Sequence, residues 1–577
     1  MINVKDHKTG YLWDPWEHLG DKRRRLLDES WAGAFRKHIL LQLPIDTVTP
    51  FFSEHLGRPT KELHALLGAL VLQQMHDLTD KETVEQFSFN VQWHYALNIT
   101  GSGDDEAYIC LKTLWNARNI VAENNIDEIL FKDITDHLIE SFDVDTCNQR
   151  IDSVHIQSNM RHLGRIRIIA STIKKFIVNL KRQQPELYKD ISEEVRNRYK
   201  SDNALSIFSL VKPSESHKTL DQVSRDLFDL CQCFKDNNLI QEMTSYGLML
   251  RVLGEQCDIA DITADGSEIV TPKPAKKITS DSLQNPSDSD ATYDAHKGKG
   301  FQVQIQETWS EKEEDNENPE LITHVKVEQA HKSDAHALIP AIKETKERGI
   351  APDEMLADSL YGGDDNVEKA KLEGVEVISP AMGKESQTDI HLSAFEFSED
   401  GIILKCPEGH KPADQKRKKT RNIVSFEINH CSNCSRCSQC PAKEGKKYYY
   451  LRFEDKEVRL ARRREHEKTD AFKNRYRYRS GVEATMSEYD RITGVKHLRV
   501  RGFKAVRFCA TMKALAINIR RITAAIKAGS QAKHPENRLK SDLKALIFVF
   551  KEQFSSFLTN LTNLRDRFII TGKMLTA

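Results

Sequence analysis

Three acidic residues stand in settings that suggest chemistry. Asp152 lies within the run Arg150-Ile-Asp-Ser-Val-His-Ile156, where an ionised carboxylate is unfavourable unless it is paired or bound to a metal. Asp358 is expected to end a strand within the run Met355-Leu-Ala-Asp-Ser-Leu-Tyr-Gly-Gly363, whose glycine pair permits a sharp exit. Glu483 ends the basic run Tyr476-Arg-Tyr-Arg-Ser-Gly-Val-Glu483. Hard divalent cations prefer oxygen ligands. Carboxylates converging on two such ions, about 3.5–4 Å apart, would activate an attacking oxygen and stabilise a leaving one at a phosphodiester. Taken singly, an Asp at a strand end is more often a helix cap or turn former. The joint pattern carries the reading.

A second cluster is built of sulfur. Cys431, Cys434, Cys437 and Cys440 follow one another at three-residue steps, with Cys406 and His410 upstream and His430 adjacent. Zinc takes four N or S ligands, often from Cys-x2-Cys pairs, so a structural Zn²⁺ is expected. The candidates exceed four, and Cys406, Cys431, Cys434 and Cys440 are one set among several. The run ends in Cys440-Pro441, close to a bacterial iron–sulfur pattern, but its last spacing is one residue short.

These residues must be positioned by a chain of 577 residues, 39% hydrophobic and 30% charged, a globular balance with room for three or four domains. Residues 1–16 carry no apolar core of signal-peptide length. No stretch approaches the roughly 20 apolar residues of a membrane span. A cytoplasmic protein with no membrane partner and no disulfides is expected. The net charge of −1 conceals segregation: residues 446–521 hold 8 Lys and 14 Arg against 9 acidic residues, a local balance of +13 that leaves −14 for the rest. A concentrated basic region with interleaved aromatics is the footprint of a DNA-contacting surface.

Leucine spacing makes residues 28–140 helical, and a strand is expected around Asp152 at 150–156. Helices are expected across 161–260. The Ser-, Asp- and Pro-rich segment 263–290 reads as a mobile linker. Alternation in Phe301, Val303 and Ile305 opens a hairpin whose second strand covers 321–327. A helix over 334–348 follows, with Asp334 as its N-cap, then a strand at 354–358, a helix at 366–372 and a strand at 375–379. Basic helices close the pattern at 458–464, 481–491 and 504–526. Three strands, a helix, a strand, a helix, a strand and a late helix fit an α/β fold with an RNase H-like core. On this strand His155 faces away from Asp152 and reads as packing. His296-Lys-Gly-Lys299 is either a phosphate contact or a turn. The run 416–421 is a DNA contact or a solvated loop.

Ile-Asp-Ser-Val-His at 151–155, Leu-Ala-Asp-Ser-Leu-Tyr-Gly at 356–362 and Arg-Ser-Gly-Val-Glu at 479–483 together resemble bacterial insertion-sequence DDE transposases. The resemblance extends to the leucine-rich helix after Arg58-Pro59, to Lys297-Gly-Lys-Gly-Phe-Gln-Val303 and to Arg501-Gly-Phe-Lys504, covering most of 50–525. It implies that Asp152, Asp358 and Glu483 are a catalytic triad holding Mg²⁺ or Mn²⁺. Tyr476 and Arg479 match the family's spacing before the glutamate. The place of its lysine holds Asp490, with Arg491 next. Arg491, Lys496, Arg499 and Arg501 complete the candidate DNA contacts. Arg479 is also four residues from Glu483, the spacing of a simple ion pair.

The resulting expectation is an RNase H-like core preceded by an all-helical domain, with a helical insertion and a cysteine-rich metal-binding insertion. Its parts are an N-terminal helical DNA-binding domain (1–140), first core strands (145–160), a helical insertion and linker (161–290), the continued core (291–400), the cysteine-rich insertion (401–450), a basic helical end (451–530) and a C-terminal helical tail (531–577). The resemblance implies cleavage at element ends and strand transfer into target DNA. The partners would be terminal inverted repeats and target DNA, held by a homodimer or higher oligomer in the bacterial nucleoid. The rivals are a nuclease that never joins and a non-catalytic DNA-binding descendant.

Overall fold

Residues 145–157 form the centre of the molecule because their apolar side chains are needed on both faces. In the computed structural model, which describes residues 1–9, 14–200, 211–260, 269–311, 318–383, 390–398, 401–419 and 421–532, strand β1 (Asn148–Gln157) lies mid-sheet. It pairs antiparallel with β2 (Gly298–Thr308), which pairs antiparallel with β3 (Ile322–Gln329). On its other side β1 pairs parallel with β4 (Glu354–Leu356), and β4 parallel with β5 (Glu376–Ile378). The order is therefore β3-β2-β1-β4-β5, with the short strand Thr292–Asp294 also against β2. Both parallel steps are crossed by helices, α9 (Leu338–Glu347) before β4 and α10 (Asp364–Leu372) before β5.

The helices before the sheet belong to the same core. They include α1 (Trp31–His38), α2 (Leu63–Met75), α3 (Asp80–Phe89), α4 (Leu111–Glu123) and α5 (Ile126–Ser141). Helix α2 is buried nearly all round and starts from a Glu62 cap, and α3 starts from a Thr79–Glu82 capping box. One apolar cluster runs from these helices through Val154, Ile156, Val303 and Ile305 of the sheet to the closing helix α14 (Phe503–Ala532). Buried Arg507 of α14 holds Asp127 of α5 through two bonds of 2.9 Å. Asn518 pairs with both backbone groups of Ile322 at 2.8 Å, closing the β3 edge. On the opposite face Ile151, Met355 and Val377 pack beneath α9 and α10.

Between β1 and β2 stand α6 (Arg165–Gln183), α7 (Ser216–Cys233) and α8 (Thr244–Gln256), around an apolar cluster of their own. The expected linker is corrected in part. Residues 261–268 lie outside the described residues, but Ile269–Pro272 pairs with Cys257–Ala260 as a two-stranded ribbon. Ser282, Leu283, Asn285 and Asp288 beyond it are buried. Polar composition misled here because these side chains find partners: Asp288 accepts from Ser158 and from the Gly502 amide. After β5 a small sheet joins β6 (Asp414–Lys418), β7 (Arg421–Glu427), β8 (Lys443–Glu444) and β9 (Tyr448–Glu454). Three basic helices follow, α11 (Asp455–Glu467), α12 (Asp470–Tyr476) and α13 (Gly481–Thr493). The expected C-terminal tail lies outside the described residues from 533 on. No helix among the described residues is long and apolar enough to cross a membrane.

Two half-buried histidines in the helical part, His38 and His76, are held by burial to a pKa of about 4, Lys37 acting with it at His38 and Arg520 at His76. Both stay neutral in the fold and charge more readily once unfolded, where the ordinary value is near 6.5. Their contribution to stability is present above about pH 6.5 and is lost as pH falls toward 4. We expect the melting temperature to decline across that window, and His76→Gln, which cannot acquire the charge, to flatten part of the decline.

Candidate active site

A buried carboxylate fixes the elements that carry the acidic residues. Glu307 of β2 is fully buried; it accepts from Arg150 Nε at 2.7 Å, from Arg521 Nη1 at 2.9 Å and from Thr485 Oγ1 at 2.7 Å. Arg150 of β1 also reaches Glu320 at 2.7 Å and the Tyr478 carbonyl at 3.1 Å. It thereby grips the turn that leads into α13. Gly481 opens that helix because nothing larger fits: a Cβ there would sit 2.1 Å from Arg150 Nη1. Sequence spacing suggests one helix carrying Tyr476, Arg479 and Glu483. The chain instead leaves α12 at Tyr476, passes through a 3-10 turn, Arg477–Ser480, and starts α13 at Gly481. This break lets Tyr478 stack on Trp309, with ring centroids 4.7 Å apart.

Asp152 and Asp358 each stand two residues beyond the last paired positions of their neighbouring parallel strands, Arg150 and Leu356. Asp358 ends no strand of its own; Oδ1 accepts from the amides of Leu360 at 2.8 Å and Tyr361 at 3.3 Å, forming the turn out of β4. The exit is tight at Gly362, where a Cβ would meet Ser379 Oγ at 2.0 Å. Arg479 joins the remaining acids, donating to Asp152 Oδ2 and to Glu483 Oε1, each at 2.7 Å. The Asp152 side chain is 17% exposed and that of Glu483 66%, so Asp152 lies inside the site and Glu483 on its rim. Burial pushes the Asp152 carboxyl up, Arg479 opposes the shift, and the neighbouring Asp358 and Asp334 add to it.

Asp334 escaped sequence reasoning. It lies in a 3-10 turn ahead of α9 and makes no side-chain cap. Its carboxylate accepts from Gln304 Nε2 at 2.8 Å and Lys297 Nζ at 3.3 Å. Lys297 also donates to Ser153 Oγ at 3.1 Å, beside Asp152. Tyr361 donates to Gln304 and is driven well above its ordinary range by burial and by Asp334, Asp152 and Asp358. Tyr476 is raised by burial, lowered by Arg479 and raised again by Asp358 and Asp152, which places it in the same field. The glutamines alternating along β2 were the available signal: polar residues at buried strand positions need partners. His155 is half-buried, and its ring nitrogens make no hydrogen bond.

Of the other basic candidates, Arg491 is exposed. Lys496 pairs with Asp490 at 3.6 Å, Arg499 with Asp77 at 2.7 Å, and Arg501 donates to the Asn159 carbonyl at 2.5 Å. Arg499 and Arg501 line a groove with Ser158, Asn159, Arg161 and His497. A neighbouring groove adds Arg167, Lys174 and Lys175, basic residues that charge counting over 446–521 could not reach.

The five cysteines gather with His410 and His430 around one cavity, the two histidine rings stacked at 4.5 Å. Burial and the other four thiols push Cys431 up to about 11. Among the described residues, the one group whose potential ligand atoms all lie within 4.8 Å of one another is His7, Glu62 and His64. Neither the cysteines nor the triad carboxylates close to that separation.

Comparison with known families gives two matches. A family described as "Transposase DDE domain" matches residues 405–523, which include the cysteine cluster and Glu483. A family described as "Transposase domain" matches residues 26–119, within the N-terminal helices. No curated protein and no solved structure matches the chain. Both matched regions are transposase domains, so the function is that of a transposase, with DNA as its partner. More particularly, the pair supports an insertion-sequence DDE transposase, a DNA-cleaving and DNA-transferring enzyme.

Removing one member of a buried ion pair leaves an uncompensated charge and costs about 3–5 kcal/mol. Glu307→Gln is expected to destabilise the protein by that amount in denaturant unfolding, because two arginines lose their shared partner. A change below about 1 kcal/mol would show that the network does not hold the site together.

Proposed function

We propose that the six-stranded sheet is an RNase H-like core and that Asp152, Asp358 and Glu483 are the catalytic carboxylates of strand cleavage and transfer. The observation that carries this reading is the level placement of Asp152 and Asp358, separated by 206 residues in sequence, each two residues past the last pair of two adjacent parallel strands, with Arg479 linking Asp152 to Glu483. The strand order and the crossing helices support the core assignment.

The donor set suits Mg²⁺ or Mn²⁺. Its oxygens are all carboxylate, and the burial that raises Asp152, with a smaller push from Asp358 and Asp334, is what a bound cation offsets. When bound, such ions activate the attacking oxygen and stabilise the leaving one. The chain's own residues supply the rest. Arg479 and Lys297 place positive charge beside the acids, where a phosphate would sit. Tyr476, Arg491, Lys496, Arg499 and Arg501 hold DNA along the basic face, and the grooves with Arg161 and Lys174 extend it. Water attacks the phosphodiester at the element's end and frees a 3′-hydroxyl, which then attacks target DNA, so no protein–DNA bond is needed. Two ends must be held at once, which calls for a dimer or higher oligomer on DNA in the bacterial nucleoid. The cysteine cavity takes a structural Zn²⁺ from among Cys406, Cys431, Cys434, Cys437 and Cys440.

The test is Mg²⁺-dependent cleavage and joining of a duplex bearing the element's own ends. We expect products with the wild-type chain, and DNA binding without detectable cleavage for Asp152→Asn and Asp358→Ala. Cleavage without joining would assign a nuclease. Binding without cleavage by the wild-type chain would leave a DNA-binding protein.

A further inference from the structure

The N-terminal nine residues are anchored along the approach to α2. The Thr60 amide donates to the Met1 carbonyl at 2.8 Å, the Asn3 amide to Thr60 Oγ1 at 3.0 Å, and the Leu63 amide to the Asn3 carbonyl at 3.0 Å. This pairing delivers His7 to the start of the helix, where Glu62 and His64 stand. His64 Nδ1 is 3.0 Å from Glu62 Oε1, and His7 Nε2 is 3.5 Å from Glu62 Oε2. The two rings meet edge to face at 4.8 Å. Exposure of the three side chains is 2% for His7, 10% for Glu62 and 12% for His64.

Helix capping accounts for Glu62 alone. It accepts from the amides of His64 at 3.1 Å and Ala65 at 2.7 Å, and from Lys5 at 3.3 Å, as a cap should. Capping does not explain why two imidazoles turn toward the same carboxylate. Nor does it explain why His7 Nε2, buried beside that carboxylate, makes only an ion-pair contact of 3.5 Å and no well-formed hydrogen bond. A buried polar nitrogen so loosely held is incompletely satisfied. Here it lies among ligand atoms that are all within 4.8 Å of one another.

We propose that His7, Glu62 and His64 form a binding site for a divalent transition-metal ion of the zinc class, separate from the acidic site and the cysteine cavity. Two ligands about 2.0–2.1 Å from a tetrahedral ion stand roughly 3.3–3.4 Å apart; here the two imidazoles lie 3.0 and 3.5 Å from the two different oxygens of Glu62, and one atom from each residue fits within 4.8 Å, so a small closure completes the site. Imidazole nitrogen with one carboxylate is a donor set that zinc accepts. The other ring nitrogen of His7, Nδ1, faces the Asn98 amide at 2.9 Å. As placed, the Asn98 NH2 donates to Nδ1; metal binding requires this amide to flip so that its oxygen accepts from Nδ1–H and the Nε2 lone pair is free for the ion. Three protein ligands leave one position for water. The ion would staple the N-terminal segment to α2. This inference does not depend on the catalytic reading.

The test is the zinc content of the full-length protein after loading and desalting, for wild type, His7→Gln and His64→Gln. Glutamine keeps a hydrogen-bond donor near Glu62 but is a poor zinc ligand. We expect each variant to lose one equivalent of zinc with its circular dichroism unchanged. An unchanged stoichiometry in folded variants overturns the site. Should the variants not fold, cobalt-substituted wild type decides. Cobalt that stays bound after the cysteines are alkylated, with no thiolate charge-transfer band and no displacement by excess Mg²⁺, supports the site. Loss of all bound cobalt on alkylation overturns it.

Discussion

Glu307 is a carboxylate with no access to water, and the rest of the acidic site depends on its being neutralised from two directions. Arg150 approaches from β1 and Arg521 from α14, while Thr485 of α13 supplies a hydroxyl. Burying three charges is expensive, and geometry this complete is what offsets the loss of hydration. The network therefore specifies position more than it adds stability. Strand β1 carries Asp152 two residues past Arg150, and α13 carries Glu483 two residues before Thr485. A shift of either element would leave Glu307 partly unpaired, so the two catalytic candidates inherit their relative placement from a pair that does no chemistry.

A different constraint governs the acids themselves. Burial raises the Asp152 carboxyl, Arg479 opposes it, and Asp358 and Asp334 add a smaller push; by formal charge the three aspartates outnumber Arg479 and Lys297 beside them. Tyr361 and Tyr476 feel the same negative field. A site that keeps excess negative charge under low exposure is poised to take up cations. The arginine at i−4 is thus both the helix-type ion pair that its spacing suggests and a contact to the strand acid 327 positions away. Spacing alone could show only the first.

Much of the sheet was legible because its signals are local. The β2–β3 hairpin, the short strands around Asp358 and Val377, and the helices on either side follow from alternation and punctuation in the sequence. What stayed hidden depends on distant partners. Asp334 reads as a cap until Gln304 and Lys297 arrive from β2. The segment after 268 reads as a linker until Ser158 and Gly502 satisfy Asp288. The start of α13 near 481 was legible, but the 3-10 turn ahead of it, Arg477–Ser480, depends on Arg150, whose guanidinium holds the Tyr478 carbonyl. His7 sits 57 residues from His64, in a segment with no periodicity to read.

The long separations between the acids follow from the same physics. Loop closure costs rise only slowly with length, so 206 residues between Asp152 and Asp358 are tolerable if the intervening chain stabilises itself. It does: α6, α7 and α8 bury Phe176, Val223, Tyr246 and Val252 in a cluster of their own. The β6–β9 sheet likewise encloses Val424, Phe426, Leu451 and Phe453. Each region returns the chain to the sheet without drawing on the central core for its packing. The acids can then be set by strand register and by one buried carboxylate, whatever length of chain lies between them.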